Sequence, residues 1–262
     1  MDHFLRLLAA AARGMPAIRV LATALLLPAL AHADPNEYLY VPAVEYGERE
    51  IDFKTGTDKL QDNAGRESAA SLGLGWGATP WWFTEAYVMF HKEVGDKTRY
   101  DAFEWENKFQ LTETGRYPVD VGLITEVEVP KEHSTEGYEV RVGPLLQGDS
   151  GLVQWNANAL FTRVVRAEYN PDEPHATGFG YQFQVKYRAS PAFEYGVQAF
   201  GDLGQWDHWA PSAGQSHRAG PAVFGRLRVG DRETIRYNAA WLAGLNKGAP
   251  QNRFRLQAEY EF

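Results

Sequence analysis

The chain ends on Arg253–Phe262, RFRLQAEYEF, in which Phe254, Leu256, Ala258, Tyr260 and Phe262 alternate with Arg253, Arg255, Gln257, Glu259 and Glu261. A period of two puts the first set on one face of an extended strand and the second set on the other. The preceding stretch repeats the pattern, with Ile235, Tyr237, Ala239, Trp241 and Ala243 against Arg236, Asn238, Ala240 and Leu242. Further back, Tyr181, Phe183, Val185 and Tyr187 oppose Gln182, Gln184, Lys186 and Arg188. Earlier still, Phe103, Trp105, Phe109 and Leu111 oppose Glu104, Glu106, Lys108 and Gln110.

Applied to the whole chain, this rule predicts an all-β fold, an antiparallel barrel of about twelve strands. The strands fall near 45–55, 66–76, 81–92, 99–112, 120–130, 137–147, 152–166, 179–189, 193–201, 217–229, 233–245 and 252–262. One merged or split hairpin would make the count ten or fourteen. No helical period competes, and no repeat or low-complexity region interrupts the rhythm.

Alternation also suits a soluble barrel with apolar residues inward, so the lipid-facing reading needs further support. The turns alternate in length. Gly77–Pro80, Thr114–Val119, Gly148–Gly151, Ser190–Ala192 and Gly230–Arg232 are short. Gly56–Gly65, Val94–Thr98, Lys131–Glu136, Ala167–Gly178, Asp202–Ser216 and Asn246–Gln251 are longer. Membrane barrels have short periplasmic turns and long external loops, and an even strand number places both termini in the periplasm. Trp76, Trp81 and Trp82 gather at one short turn, Tyr117 at the next, and Tyr260 and Phe262 at the terminus, as an interfacial girdle requires. The expected fold is therefore a transmembrane barrel.

The first 33 residues read as a leader. Arg6, Arg13 and Arg19 precede the apolar run Val20–Leu30, and Ala31-His32-Ala33 supplies a small-x-small cleavage pattern. The run is shorter than the roughly 20 residues of a spanning helix. The barrel is expected to occupy 34–262, and with no later apolar run long enough to span as a helix, only a barrel would cross a membrane.

At the terminal strand the chain resembles outer-membrane barrel proteins of Gram-negative bacteria as a class, whose last strand ends in an aromatic residue preceded by alternating apolar positions. Phe254, Leu256, Tyr260 and Phe262 match that pattern, and Ala258 is a weaker apolar position. The resemblance implies contact with outer-membrane lipid and recognition by the barrel-assembly machinery through this strand.

The chain carries 26 Lys and Arg against 34 Asp and Glu, and a cleaved leader would remove three arginines and one aspartate. Such an acidic chain is unsuited to nucleic acid. It has no cysteine, so disulfides and zinc–thiolate sites are excluded. The five histidines of the mature chain (His91, His133, His175, His208 and His217) are scattered, and neither a metal nor another cofactor is expected.

The polar face sorts its charges along the chain. Glu48, Glu50, Asp52, Glu85, Glu104, Glu106, Glu126 and Glu128 make an expected acidic wall from the first half. Lys186, Arg188, Arg218, Arg226, Arg228, Arg236, Arg253 and Arg255 make an expected basic wall from the second. Closing the barrel brings Arg253 and Arg255 toward Glu48, Glu50 and Asp52. Twelve strands lie between side-chain-filled barrels of about eight and open porins of about 16 to 18. The function expected is a narrow pore for small polar or charged solutes, with loop Asp202–Ser216 narrowing its mouth. The alternatives are a non-conducting structural or adhesive barrel and, third, a lipid hydrolase. A hydrolase would need Ser134 with His133 or Ser216 with His217, but neighbours on a strand point to opposite faces and no G-x-S-x-G motif is present. Paired acids such as Glu48/Glu50 and Glu126/Glu128 follow from alternation alone and are not read as glycosidase carboxylates.

Overall fold

A computed structural model describes Pro35, residues 37–165 and residues 176–262. The expected leader and cleavage site, Arg166, His175 and most of the 167–178 loop lie outside the described residues. Twelve long strands close into an antiparallel barrel: β1 (Arg49–Lys59), β2 (Arg66–Thr79), β3 (Trp82–Lys92), β4 (Arg99–Gln110), β5 (Asp120–Pro130), β6 (Tyr138–Ser150), β7 (Val153–Val165), β8 (Thr177–Ser190), β9 (Phe193–Gln205), β11 (Ser216–Arg228), β12 (Thr234–Gly244) and β13 (Asn252–Glu261). Each pairs with its long-strand neighbours, and β13 pairs with β1 to seal the wall, so each of the twelve is paired on both sides. The two-residue β10 (His208–Trp209) only folds back on the end of β9.

The alternation holds in space. Ile51, Phe53, Leu72, Leu74, Val88, Phe103, Trp105, Val140, Val142, Phe183, Val197, Val223, Trp241, Phe254 and Leu256 are exposed on the outside. Their strand neighbours Asp52, Lys54, Glu104, Glu106, Gln182, Gln184, Gln198, Arg253 and Arg255 are buried inside. Exposing the apolar set around the circumference while burying charges is unfavourable in water and is what hydrocarbon requires. Aromatic residues edge this band at both ends. Trp81 stacks on Phe109 and Tyr260 on Phe262 at the short-turn end, while Phe90 meets Tyr100 and Phe161 meets Phe179 at the long-loop end.

Two sequence expectations change. The first strand starts at Arg49 and runs to Lys59 rather than spanning 45–55. A turn at Glu45–Gly47 precedes it, in which Gly47 takes φ +82°, a conformation that a Cβ disfavours. Residues 56–59, expected as loop, are held in the ladder by partners on both sides, β2 and β13. The second change concerns the loop after β9. β9 extends to Gln205, beyond the expected strand end at 201, and Trp209 stacks on Phe179 of the outer aromatic row. Asn246 ties the loop down, donating to the carbonyls of Ser212 at 2.8 Å and Gln215 at 2.7 Å. What enters the lumen is the chain before β1.

Candidate functional site

Cross-strand register builds the acidic wall directly. At one level Glu50 faces Gly75, Gly75 faces Glu85, Glu85 faces Glu106 and Glu106 faces Glu126. At the next, Asp52 faces Gly73, then follow Tyr87, Glu104, Glu128 and Glu139. Like charges directly opposite destabilise a sheet, so these two rows need compensation. Lys54 provides some of it, with Nζ 3.5 Å from Asp52 and lying over the rings of Tyr38 and Tyr87. Arg141 provides more, 2.8 Å from Glu126 and 2.9 Å from Glu139. Glu48 sits just ahead of β1 at the short-turn mouth, 3.4 Å from Arg236.

The acids also form groups whose oxygens lie within 4.8 Å of one another: Glu48/Glu50/Glu261, Glu104/Glu106/Glu126 and Glu126/Glu128/Glu139. Each group joins an i, i+2 pair of one stretch to an acid of a neighbouring strand, and that third member is what sequence spacing does not show.

The basic wall is narrower than the sequence implies. Arg218, Arg253 and Arg255 converge near the long-loop end and are only 1–2% exposed. Asp58 clamps Arg253 with two bonds of 2.6 Å. Arg226 and Arg236 pair with Glu261 nearer the short turns. Arg228 lies exposed at the short-turn mouth, where it lines a 390 Å³ cavity with Arg226, Asp231 and Arg232. Lys186 and Arg188 stand apart, held by Glu194 at 2.7 Å and Asp149 at 3.0 Å.

Between the walls runs a neutral amide sector that the charge pattern overlooks. Asn156 donates to Gln147, Gln184 to Asn156 and Gln198 to Gln184. Asn158 and Gln182 form a second pair at 2.9 Å. All are buried on β6–β9 at inward positions that the alternation alone would have identified.

Residues 37–44, ahead of the first strand, lie inside the lumen. The Tyr38 hydroxyl donates to Glu106, and that of Tyr40 donates to Glu126 at 2.6 Å. Gln182 donates to the Tyr38 carbonyl at 2.8 Å and accepts from the Tyr40 amide at 3.1 Å. Asn158 donates to the Tyr40 carbonyl, and the Val44 amide donates to Gln110. Glu37 turns the other way, 2.7 Å from Arg218 and 3.4 Å from Arg253. Leu39 packs on Phe200, Ala222, Phe224, Ala240 and Leu242, and Tyr40 on Ile124, Leu145 and Leu160. Gly122 makes room, since a Cβ there would come within 2.9 Å of Pro42 backbone. The one signal for this segment in the sequence is the run Tyr38-Leu39-Tyr40-Val41, apolar and aromatic but without a strand partner.

The hydrolase pairs are not assembled. Ser216 points inward on β11, while the His217 ring engages Tyr181 at 3.1 Å and Gln215 at 2.8 Å. His133 and Ser134 lie in the exposed single-turn helix His133–Glu136, where the His133 ring packs against Tyr138.

No family model matches the chain, and no curated protein matches it in sequence. Among solved structures it is similar to the NanC porin, with TM-score 0.55 and 10% identity over 81% of this chain and 98% of that one. It is also similar to an outer membrane channel from Pseudomonas putida F1, with TM-score 0.58 and 11% identity over 86% and 98%. With its apolar exterior and charged interior, the chain has the closed twelve-stranded antiparallel fold of Gram-negative outer-membrane β-barrels.

Proposed function

We propose that the protein is a narrow outer-membrane pore for small polar or charged solutes, held closed by residues 37–44. The observation that carries this reading is how the segment is attached. Among the described residues, its backbone makes no hydrogen bond to the backbone of the wall; it is held by side chains and by burial of Leu39 and Tyr40. A thirteenth element built for permanence would join the ladder, as β10 does. A segment held by side chains can leave without breaking the barrel, whose twelve strands are paired independently of it.

In this reading the short turns and both ends of the mature chain face the periplasm, and Phe254, Leu256, Tyr260 and Phe262 address the barrel to its assembly machinery. The charged rows then set selectivity once the lumen is wet. Buried ion pairs recover their desolvation cost only with good geometry, so hydrating the rows lowers the cost of displacing the segment.

The test is single-channel recording in planar bilayers, on protein whose fold is verified by heat-modifiable gel mobility. Long closures with discrete openings are expected, and Tyr38→Phe/Tyr40→Phe should raise the open fraction at least tenfold. Silence from both proteins would favour the alternative of a non-conducting barrel, to which the packed lumen lends some support.

A further inference from the structure

We infer that Glu37 is an internal stand-in for the carboxylate of a solute, and that Arg218, Arg253 and Arg255 form a carboxylate-binding site exposed when the segment leaves. This inference rests on the pore reading and adds the class of solute. The Glu37 carboxylate accepts from Arg218 Nη2 at 2.7 Å and from Arg253 Nη1 at 3.4 Å, while its backbone carbonyl accepts from Arg255 Nη1 at 2.9 Å. The three arginines come from β11 and β13 and are almost wholly buried, so their charges are aimed into the lumen rather than at solvent.

Two of the three arginines are held independently of Glu37. Asp58 fixes the Arg253 guanidinium by a two-point clamp. Gln198 and Asn238 accept from Arg255 Nη2, and the Arg255 guanidinium lies 5.1 Å from the Phe200 ring centroid. These contacts hold the Arg253 and Arg255 guanidinium planes in place before any ligand arrives, and a preorganised fork suits a carboxylate better than a point charge would.

The site is also under-satisfied. Among the described residues, Nε of Arg218 and Nε of Arg255 are buried without a hydrogen-bond partner, an arrangement that costs stability. Among the described residues, the carboxylates that bond these arginines are those of Asp58 and Glu37. When Glu37 leaves, Asp58 still holds Arg253, and the Arg218 guanidinium loses the ion pair that it makes among the described residues. A solute carboxylate restores that pairing, so solute and segment compete for the same arginines. Loading of the site and opening of the lumen are then one event.

The test uses three solutes of similar size and different charge: gluconate, glucose and glucosamine. Binding of gluconate to the detergent-solubilised full chain is measured by calorimetry for the parent protein, for Glu37→Gln and for Arg218→Gln, each checked for heat-modifiable mobility. Glu37→Gln should bind gluconate about tenfold more tightly than the parent, because the internal competitor is neutralised, and Arg218→Gln should abolish binding. Glucose and glucosamine should not compete. Proteoliposome swelling then separates the two claims. Entry of gluconate ahead of glucose is the expected result. Tighter binding by Glu37→Gln without entry of any solute would keep the site and remove the pore. Entry of glucose with equal gluconate affinity in the parent and Glu37→Gln would keep the pore and overturn the carboxylate site.

Discussion

The acidic and basic sides of the lumen are stabilised in different ways. On the basic side, Arg253 is neutralised by Asp58 of the neighbouring strand, a contact made within the wall itself. On the acidic side, Glu85, Glu106 and Glu126 face one another across β3, β4 and β5, and two of these three are capped by hydroxyl groups brought in by Tyr38 and Tyr40. The Arg253–Asp58 pair is therefore balanced by the barrel, whereas Glu106, Glu126 and Arg218 each take a partner from the segment. Losing the segment changes the environment of the acidic rows and of Arg218 more than that of the Arg253–Asp58 pair.

The largest effect should come from breaking the pair balanced within the wall. Asp58→Asn leaves Arg253 buried without its clamp, and such a loss costs about 3–5 kcal/mol. The midpoint of urea unfolding in lipid vesicles should fall accordingly; an unchanged midpoint would mean that Arg253 finds an alternative partner.

The hydrophobic anchor should come next. Leu39 is 7% exposed among side chains of β9, β11 and β12, and truncating a buried leucine to alanine costs about 2–5 kcal/mol. Because this cost falls on the closed state alone, Leu39→Ala should raise the open fraction in single-channel records by at least tenfold while leaving barrel unfolding unchanged. Equal losses in both readouts would make the segment part of the folding core rather than a plug.

Glu85→Gln should act in the opposite direction. It removes a like charge set directly against Glu106, and such pairs contribute roughly 0.2–1 kcal/mol of destabilisation. The variant should be slightly more stable than the parent and less cation-preferring in reversal-potential measurements. A less stable variant would show that Glu85 is held by a compensating cation rather than tolerated.

The smallest effect should come from the loop pair Arg99–Glu93, with side chains 53% and 56% exposed. Exposed pairs are worth about 0–1 kcal/mol, so Arg99→Gln should leave both the unfolding midpoint and conductance within error.

Alternation carried most of the architecture. Arg253–Phe262 already separates an apolar face from a charged one, because a strand shows its two faces at every second residue whatever its partners. The predicted segment 120–130 coincides with β5, and most other boundaries fall within a few residues. The acidic rows were legible as a composition of inward positions, since Glu104 and Glu106 had to share a face. Their pairing with Glu128 and Glu126 was not, because register depends on shear between strands.

The order of residues alone makes apolar side chains alternate with charged ones through about twelve strands, which gives the barrel a lipid-facing exterior and a polar lumen. What occupies that lumen follows from packing across the barrel. Residues 37–44 have no period and no ladder partner, and their contacts run to residues 66 to 218 positions away in the chain. Contacts over such separations exist only after the wall has closed, when Tyr38, Tyr40 and Glu37 meet Glu106, Glu126 and Arg218 across the barrel axis.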